Sequence, residues 1–188
     1  MQLPNHVRLL LLPATAMTLA LGACSQPAQN DQAASSDDGV AAAGKAAPAA
    51  PPAIKPVDIP TRGGDGSPIE LTALSATDGA GLAGELGCSF AADAATPPIL
   101  IAKGNVASQD PSRGVVNVGD TTEAISANGG FDAMINGATF FGKGLQLRVA
   151  LTGPAQGDGE SPPRPATLTA DRADGAQRVF AGLWQCGP

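Results

Sequence analysis

The chain of 188 residues has no tyrosine, one histidine and one tryptophan. The histidine, His6, lies in an N-terminal segment that we expect to be removed, so none would remain for a Ser-His-Asp triad, a Cys-His pair or a metal site. Basic residues are also scarce, since 11 Lys and Arg stand against 17 Asp and Glu, for a formal net charge of −6. We therefore expect no enzyme, no cofactor, no metal site and no nucleic-acid partner.

Residues 1–23 have the pattern of an export signal. Arg8 supplies a basic start, and residues 9–21, LLLLPATAMTLAL, form an apolar core that is too short to remain as a membrane-spanning helix. Two small residues come directly before Cys24. We expect cleavage at this point and a mature chain that begins with Cys24.

Leu-Gly-Ala-Cys at 21–24 resembles the lipobox of bacterial lipoproteins. The resemblance implies that the Cys24 thiol and the new amino terminus are acylated, which makes the lipid bilayer a partner of the chain. Each buried CH₂ of an acyl chain adds about 0.8 kcal/mol to membrane binding. In that family an aspartate after the cysteine often retains the protein at the inner membrane; Ser25 stands here, so we expect the outer membrane of a Gram-negative bacterium. The alternative is an ordinary secretory signal with a chance cysteine.

The two other cysteines, Cys88 and Cys186, are predicted to form a disulfide, because exported proteins with paired cysteines usually oxidise them. The bridge would close a loop of about 100 residues. A redox or metal role is the alternative, but the chain has no CxxC motif and two cysteines are too few for a zinc site.

Composition divides the mature chain into two parts. Residues 24–66 are rich in Ala, Pro, Ser, Gly and Asp and contain few large apolar residues, so we expect a disordered tether. A flexible chain of about 40 residues has an end-to-end distance of roughly 35 Å. Residues 67–188 are long enough to form one domain with a modest core.

The region 67–188 shows the alternation of apolar and polar residues that is typical of β-strands, and no stretch has a long helical period. The clearest alternation is LQLRVALT at 145–152. Other predicted strands lie at 69–73, 86–90 and 99–102, on either side of Gly119-Asp120, and in a last hairpin that turns near Asp174-Gly175. We predict an all-β domain, a small antiparallel barrel or sandwich of about seven to nine strands.

FDAMINGATFF at 131–141 predicts a further hairpin, because Asn136-Gly137 is a favoured two-residue turn and stands between two apolar arms.

The segment GDGESPPRPATL, at 157–168, is the most unusual predicted loop. Asp158 and Glu160 beside glycines allow a calcium site, with a solvated acidic turn as the simpler alternative. SPPRP within it is similar to a polyproline recognition segment, with a stiff connection into the next strand as the simpler alternative. Lys103 and Lys143 stand next to glycines in predicted turns, which indicates surface charge.

Two short motifs, SANGGF at 126–131 and FFGKGLQL at 140–147, resemble those of the membrane-bound C-type lysozyme inhibitors. The members of that family are small exported β-barrels with a disulfide, and many are lipoproteins. The resemblance implies that Asn128 and Lys143 enter a lysozyme active site. Asn128 replaces the family's serine, and the aromatic residue of the first motif, Phe131, comes one position early.

We therefore expect a membrane-anchored envelope lipoprotein with a non-enzymatic binding or structural role and a possible protein partner in the envelope. The alternative function is inhibition of lysozyme-type peptidoglycan hydrolases through Asn128 and Lys143. A third hypothesis, an enzyme of unrecognised type, has no motif to support it.

Overall fold

A computed structural model describes residues 57–188, which contain ten strands and one short helix. The predicted signal peptide, Cys24 and most of the predicted tether lie outside the described residues. The elements are β1 (Ile59–Arg62), β2 (Leu71–Thr72), β3 (Leu86–Ala91), β4 (Leu100–Gly104), β5 (Ser112–Val118), β6 (Thr121–Ala127), α1 (Phe131–Met134), β7 (Thr139–Gly142), β8 (Leu145–Leu151), β9 (Arg164–Arg172) and β10 (Gln177–Gly187).

Eight strands, β3 to β10, form a closed antiparallel barrel. Each of β3 to β9 pairs with the next strand along the chain, and β10 closes the ring because it pairs with β9 and also with β3. The two other strands lie outside the ring, with β1 paired to β10 and β2 paired to β5. The predicted all-β class is confirmed, and the architecture is the barrel rather than the sandwich.

The barrel strands place alternate side chains inside, as the pattern with a period of two residues predicts. In β8, Leu147 and Val149 are buried, whereas Arg148 and Ala150 are exposed. The strands predicted from the alternation around 86–90, 99–102 and 145–152 are confirmed as β3, β4 and β8, and the two predicted turns at 119–120 and near 174–175 join confirmed strand pairs.

Side chains fill the inside of the barrel. Phe140 and Trp184 pack edge to face with their ring centroids 6.3 Å apart. Glycine makes room for another of the inner aromatic rings, that of Phe90. At Gly182 a Cβ atom would overlap the backbone of Ala91 and the ring of Phe90. The largest fully buried side chains are Trp184, Phe90, Phe140, Leu100, Met134, Leu147, Leu168 and Val116. A barrel of eight strands is narrow enough for side chains alone to fill it.

The hairpin predicted within 131–141 is wrong, because its first arm is the helix α1 and not a strand. Phe131 and Met134 are three positions apart, so one helical turn directs both into the core at the end of the barrel. Gly137 closes this turn by donating its backbone N–H to the Met134 carbonyl oxygen at 2.9 Å. Only the second arm forms a strand, β7, which pairs with β6 and β8.

The folded part of the chain begins earlier than the boundary expected at residue 67. Strand β1 lies within the predicted tether, yet it pairs with β10 and its Thr61 hydroxyl oxygen accepts a hydrogen bond from the Ile69 N–H at 2.8 Å. Asp58 likewise accepts a hydrogen bond from the Ala181 backbone. These contacts use backbone groups and need few apolar side chains, which is why composition alone did not reveal them.

Candidate functional site

The predicted disulfide between Cys88 and Cys186 is confirmed. The two residues are direct cross-strand partners on β3 and β10, with their Cα atoms 4.0 Å apart and a bond between their sulfur atoms. Both side chains lie on the inner side of their strands, where Cys88 is buried and Cys186 is partly buried. The disulfide links β3 to β10 covalently, at the pairing that closes the barrel.

The two residues of the lysozyme-inhibitor resemblance are both exposed, but the structure does not bring them together. Asn128 follows the last residue of β6, beside the start of β7, whereas Lys143 follows the last residue of β7. Because β6 and β7 are antiparallel, four residues of strand separate the two positions, which corresponds to about 13 Å. They therefore belong to loops at different ends of β7.

The loop of Asn128 is held from inside the barrel. The buried Ser112 hydroxyl donates a hydrogen bond to the Gly129 carbonyl oxygen at 2.7 Å, and the Ser112 N–H donates to the same oxygen at 2.9 Å. This loop therefore has a fixed backbone and an exposed side chain at Asn128.

Lys143 stands at the tip of the hairpin between β7 and β8. It is flanked by Gly142 and Gly144, and the Gly144 carbonyl oxygen accepts a hydrogen bond from the Ala173 N–H at 2.9 Å. Phe141, two residues before the tip, is 51% exposed on the outer face of the barrel. The hairpin thus presents a cation and an aromatic ring to solvent close to one another.

A cluster of charges connects the segment after β1 with the turn between β9 and β10. Arg172 donates from Nε and Nη2 to the two carboxylate oxygens of Asp174, at 2.9 and 2.7 Å, and from Nη2 to Asp65 at 2.6 Å. The hydrogen bonds from Arg172 hold the pKa of Asp174 well below its usual range, and those from Ser67 lower the pKa of Asp65. Sequence reasoning missed this cluster, since Asp65 and Arg172 are 107 positions apart.

The unusual loop at 157–163 has the form of a connection. Its residues carry no strand or helix, the Gln156 N–H donates to the Pro163 carbonyl oxygen at 2.8 Å, and β9 begins at Arg164. Arg164 donates to the Asn136 side-chain oxygen at 3.0 Å, which joins the start of β9 to the end of the α1 turn. These contacts fit the interpretation as a stiff connection into a strand. Within 57–188, no group of three or more His, Cys, Asp or Glu side chains is placed to hold a metal ion.

A shallow groove of about 380 Å³ lies on the outside of β3 and β10. Its walls include Gly87, Ser89, Pro98, Ile101 and Gln185. The groove has no charged side chain in its lining. Over the part of the chain that the structure describes, no helix has the length and apolar character needed to cross a membrane.

Comparison with known proteins gives no relative for this chain: no family model, no curated protein and no solved structure matches it.

Proposed function

We propose that the chain is a lipid-anchored envelope protein with a non-enzymatic role in binding or structure. The observation that carries this proposal is the filled interior of the barrel, in which Trp184, Phe90 and Phe140 occupy the space that a ligand chamber would need. The surfaces that remain for contact are the outer wall and the loops.

The anchor part of the proposal rests on Leu-Gly-Ala-Cys at 21–24. Residues 24–56 would then link the acylated Cys24 to the first described residues. As a flexible tether they would reach roughly 30 Å from the bilayer. The barrel would thereby be free to meet partners near the membrane surface.

Replacement of Cys24 by alanine is expected to abolish incorporation of labelled palmitate and to leave the signal segment uncleaved, since the acylated atom is the Cys24 sulfur. The measurement is labelling in growing bacterial cells, followed by mass determination of the purified chain. Ser25→Ala is the matched control, because it changes the neighbouring side chain, keeps the thiol and should remain labelled. Palmitate incorporation that survives in Cys24→Ala would contradict the anchor.

Inhibition of a lysozyme-type hydrolase is the second candidate function, and the geometry of Lys143 favours it. A side chain that enters an enzyme cleft must project from a narrow tip, and Lys143 stands between two glycines at a hairpin turn next to the exposed ring of Phe141. A small barrel with a disulfide is also the architecture that the resemblance implies. Asn128, which lies about 13 Å away along the strand, would not share this tip.

In this second candidate, the mature chain with Cys24→Ser should inhibit lysis of cell walls by C-type lysozyme, and Lys143→Ala should weaken the inhibition at least tenfold. The reason is that the substitution removes the one charged group at the tip. Lys103→Ala serves as the control, because it removes the other lysine of the barrel from a strand of the wall. An unchanged rate of lysis at micromolar concentrations of the chain would exclude this function.

A further inference from the structure

The outer wall of the barrel from β4 to β8 carries cations and no carboxylate among the outward-facing residues of these five strands. This is unexpected in a chain with a net charge of −6. The outward residues, identified from burial and register, are Ile101, Lys103, Arg113, Val115, Asn117, Thr122, Ala124, Ser126, Thr139, Phe141, Gln146, Arg148 and Ala150. The acidic side chains of the described chain lie chiefly in the loops and at the barrel ends.

Four of these residues form one continuous row across neighbouring strands, which we call the basic row: Lys103, Arg113, Ser126 and Phe141. Each is the direct cross-strand partner of the next. Three interstrand spacings of about 4.8 Å separate its ends, so the row covers roughly 14 Å of the wall.

Two like charges stand directly opposite each other in this row, an arrangement that destabilises a sheet. The other cross-strand partner of Lys103 is Gly87 and that of Arg113 is Ser126, so neither strand neighbour supplies a compensating charge. The ion pairs found within 57–188 are those of Arg172 and do not include Lys103 or Arg113. The repulsion between Lys103 and Arg113 therefore raises the free energy of the isolated domain, and an anionic partner would remove this repulsion.

The row ends at an exposed aromatic ring. Phe141 is 51% exposed, and Arg148 occupies a diagonal position on β8, two residues from Gln146, the direct partner of Phe141. Cations beside an aromatic ring are the combination that favours the interface of a bilayer, where headgroup phosphates meet the outermost acyl carbons.

We propose that the basic row docks on the anionic phospholipid headgroups of the membrane that holds the chain. This inference rests on the proposed lipid anchor, which would keep the barrel close to the bilayer. A convex wall touches a flat bilayer along one line only. Long basic side chains on either side of that line can still reach the plane of the headgroups, so this wall suits a membrane surface. The nearby carboxylates of Glu85, Asp110 and Asp132 lie in the loops and the helical turn at one end of these strands, and not on the wall itself.

The test uses the mature chain with Cys24→Ser, so that no acyl group contributes to binding. Vesicles of phosphatidylethanolamine and phosphatidylglycerol are compared with vesicles of phosphatidylcholine alone by co-sedimentation. We expect binding to the anionic vesicles only, with an approximately fivefold lower partition coefficient for Arg113→Gln and about thirtyfold for the double variant with Lys103→Gln. Both variants remove a repulsion and should therefore stay folded, which circular dichroism checks.

Arg62→Gln is the matched control, since Arg62 is an exposed strand arginine on β1, away from the row, and its replacement changes the net charge equally. It should leave the partition unchanged. Equal losses for Arg62→Gln and Arg113→Gln would overturn the proposal in favour of a general charge effect, and so would the absence of binding to anionic vesicles. If palmitate labels the wild type but the Cys24→Ser chain does not bind the anionic vesicles, the anchor stands and the docking face is wrong. If Cys24→Ala still incorporates palmitate, only the anchor is refuted.

Discussion

Removing the disulfide is expected to lower the free energy of unfolding of the barrel by about 4–5 kcal/mol, because Cys88 and Cys186 are 98 positions apart and the unfolded chain loses a long closed loop. The corresponding fall in melting temperature is on the order of 15 °C for a domain of this size. Among the pairs of adjacent barrel strands, β3 and β10 are the farthest apart in sequence, so their contact has the largest entropic cost of closure.

The measurement is thermal and urea unfolding of the variant with Cys88→Ala and Cys186→Ala, made in a Cys24→Ser background so that thiol counts refer to this pair alone. The parent should lose the same stability when a reductant is added, whereas the variant should not respond to it. Alkylation of the denatured parent should find no free thiol before reduction. A variant that melts at the temperature of the oxidised parent would contradict the expected contribution of the bridge.

The parts of the fold that could be predicted from the sequence are those in which one strand face is apolar and the other is polar. β8 is the clearest example, because Leu147 and Val149 enter the core while Arg148 remains in water. In a narrow barrel each strand has one inside and one outside face, so apolar and polar residues alternate along the sequence with a period of two. The antiparallel pairing followed from this pattern and from the turn residues, and the eight strands of the ring lie within the predicted seven to nine, whereas the structure contains ten strands in all.

Elements that depend on contacts distant in sequence were missed. The helix α1 contains one turn, and its Phe131 and Met134 could belong equally to an apolar strand arm until the end of the barrel is in place to receive them. Strand β1 is held by pairing with β10, about 120 positions later, and carries no apolar alternation of its own. Local composition therefore pointed to a linker.

The same limit applies to the candidate sites. The cysteine count and the predicted export signal were sufficient to pair Cys88 with Cys186, since the chain offered few other partners for them. The basic row was not predictable, because Lys103 and Arg113 become neighbours only through the register of β4 and β5. The separation of Asn128 from Lys143 also required the register of β6 and β7, which two short motifs do not contain.

Replacing Trp184 with alanine is expected to lower the free energy of unfolding by about 3–5 kcal/mol, which is the range for removing a large aromatic side chain from a packed core. The side chain is 1% exposed, packs edge to face against Phe140, and donates from Nε1 to the Met134 carbonyl oxygen at 2.9 Å. The alanine variant would leave a cavity and would remove one of the two hydrogen bonds to the Met134 carbonyl oxygen. Trp184 therefore fills part of the barrel interior and also links α1 to the barrel through a hydrogen bond.

Two further variants separate these contributions. Trp184→Phe keeps most of the ring contact but removes one of the two hydrogen bonds to the Met134 carbonyl oxygen, which keeps the Gly137 N–H, for an expected loss of about 0.5–1.5 kcal/mol. Phe141→Ala, which truncates an exposed ring on the outer face, should change stability by less than about 0.5 kcal/mol. Urea unfolding followed by circular dichroism measures all three variants on one scale. Equal losses for Trp184→Ala and Phe141→Ala would refute the assignment of Trp184 to the core, because only a buried side chain leaves a cavity when it is removed.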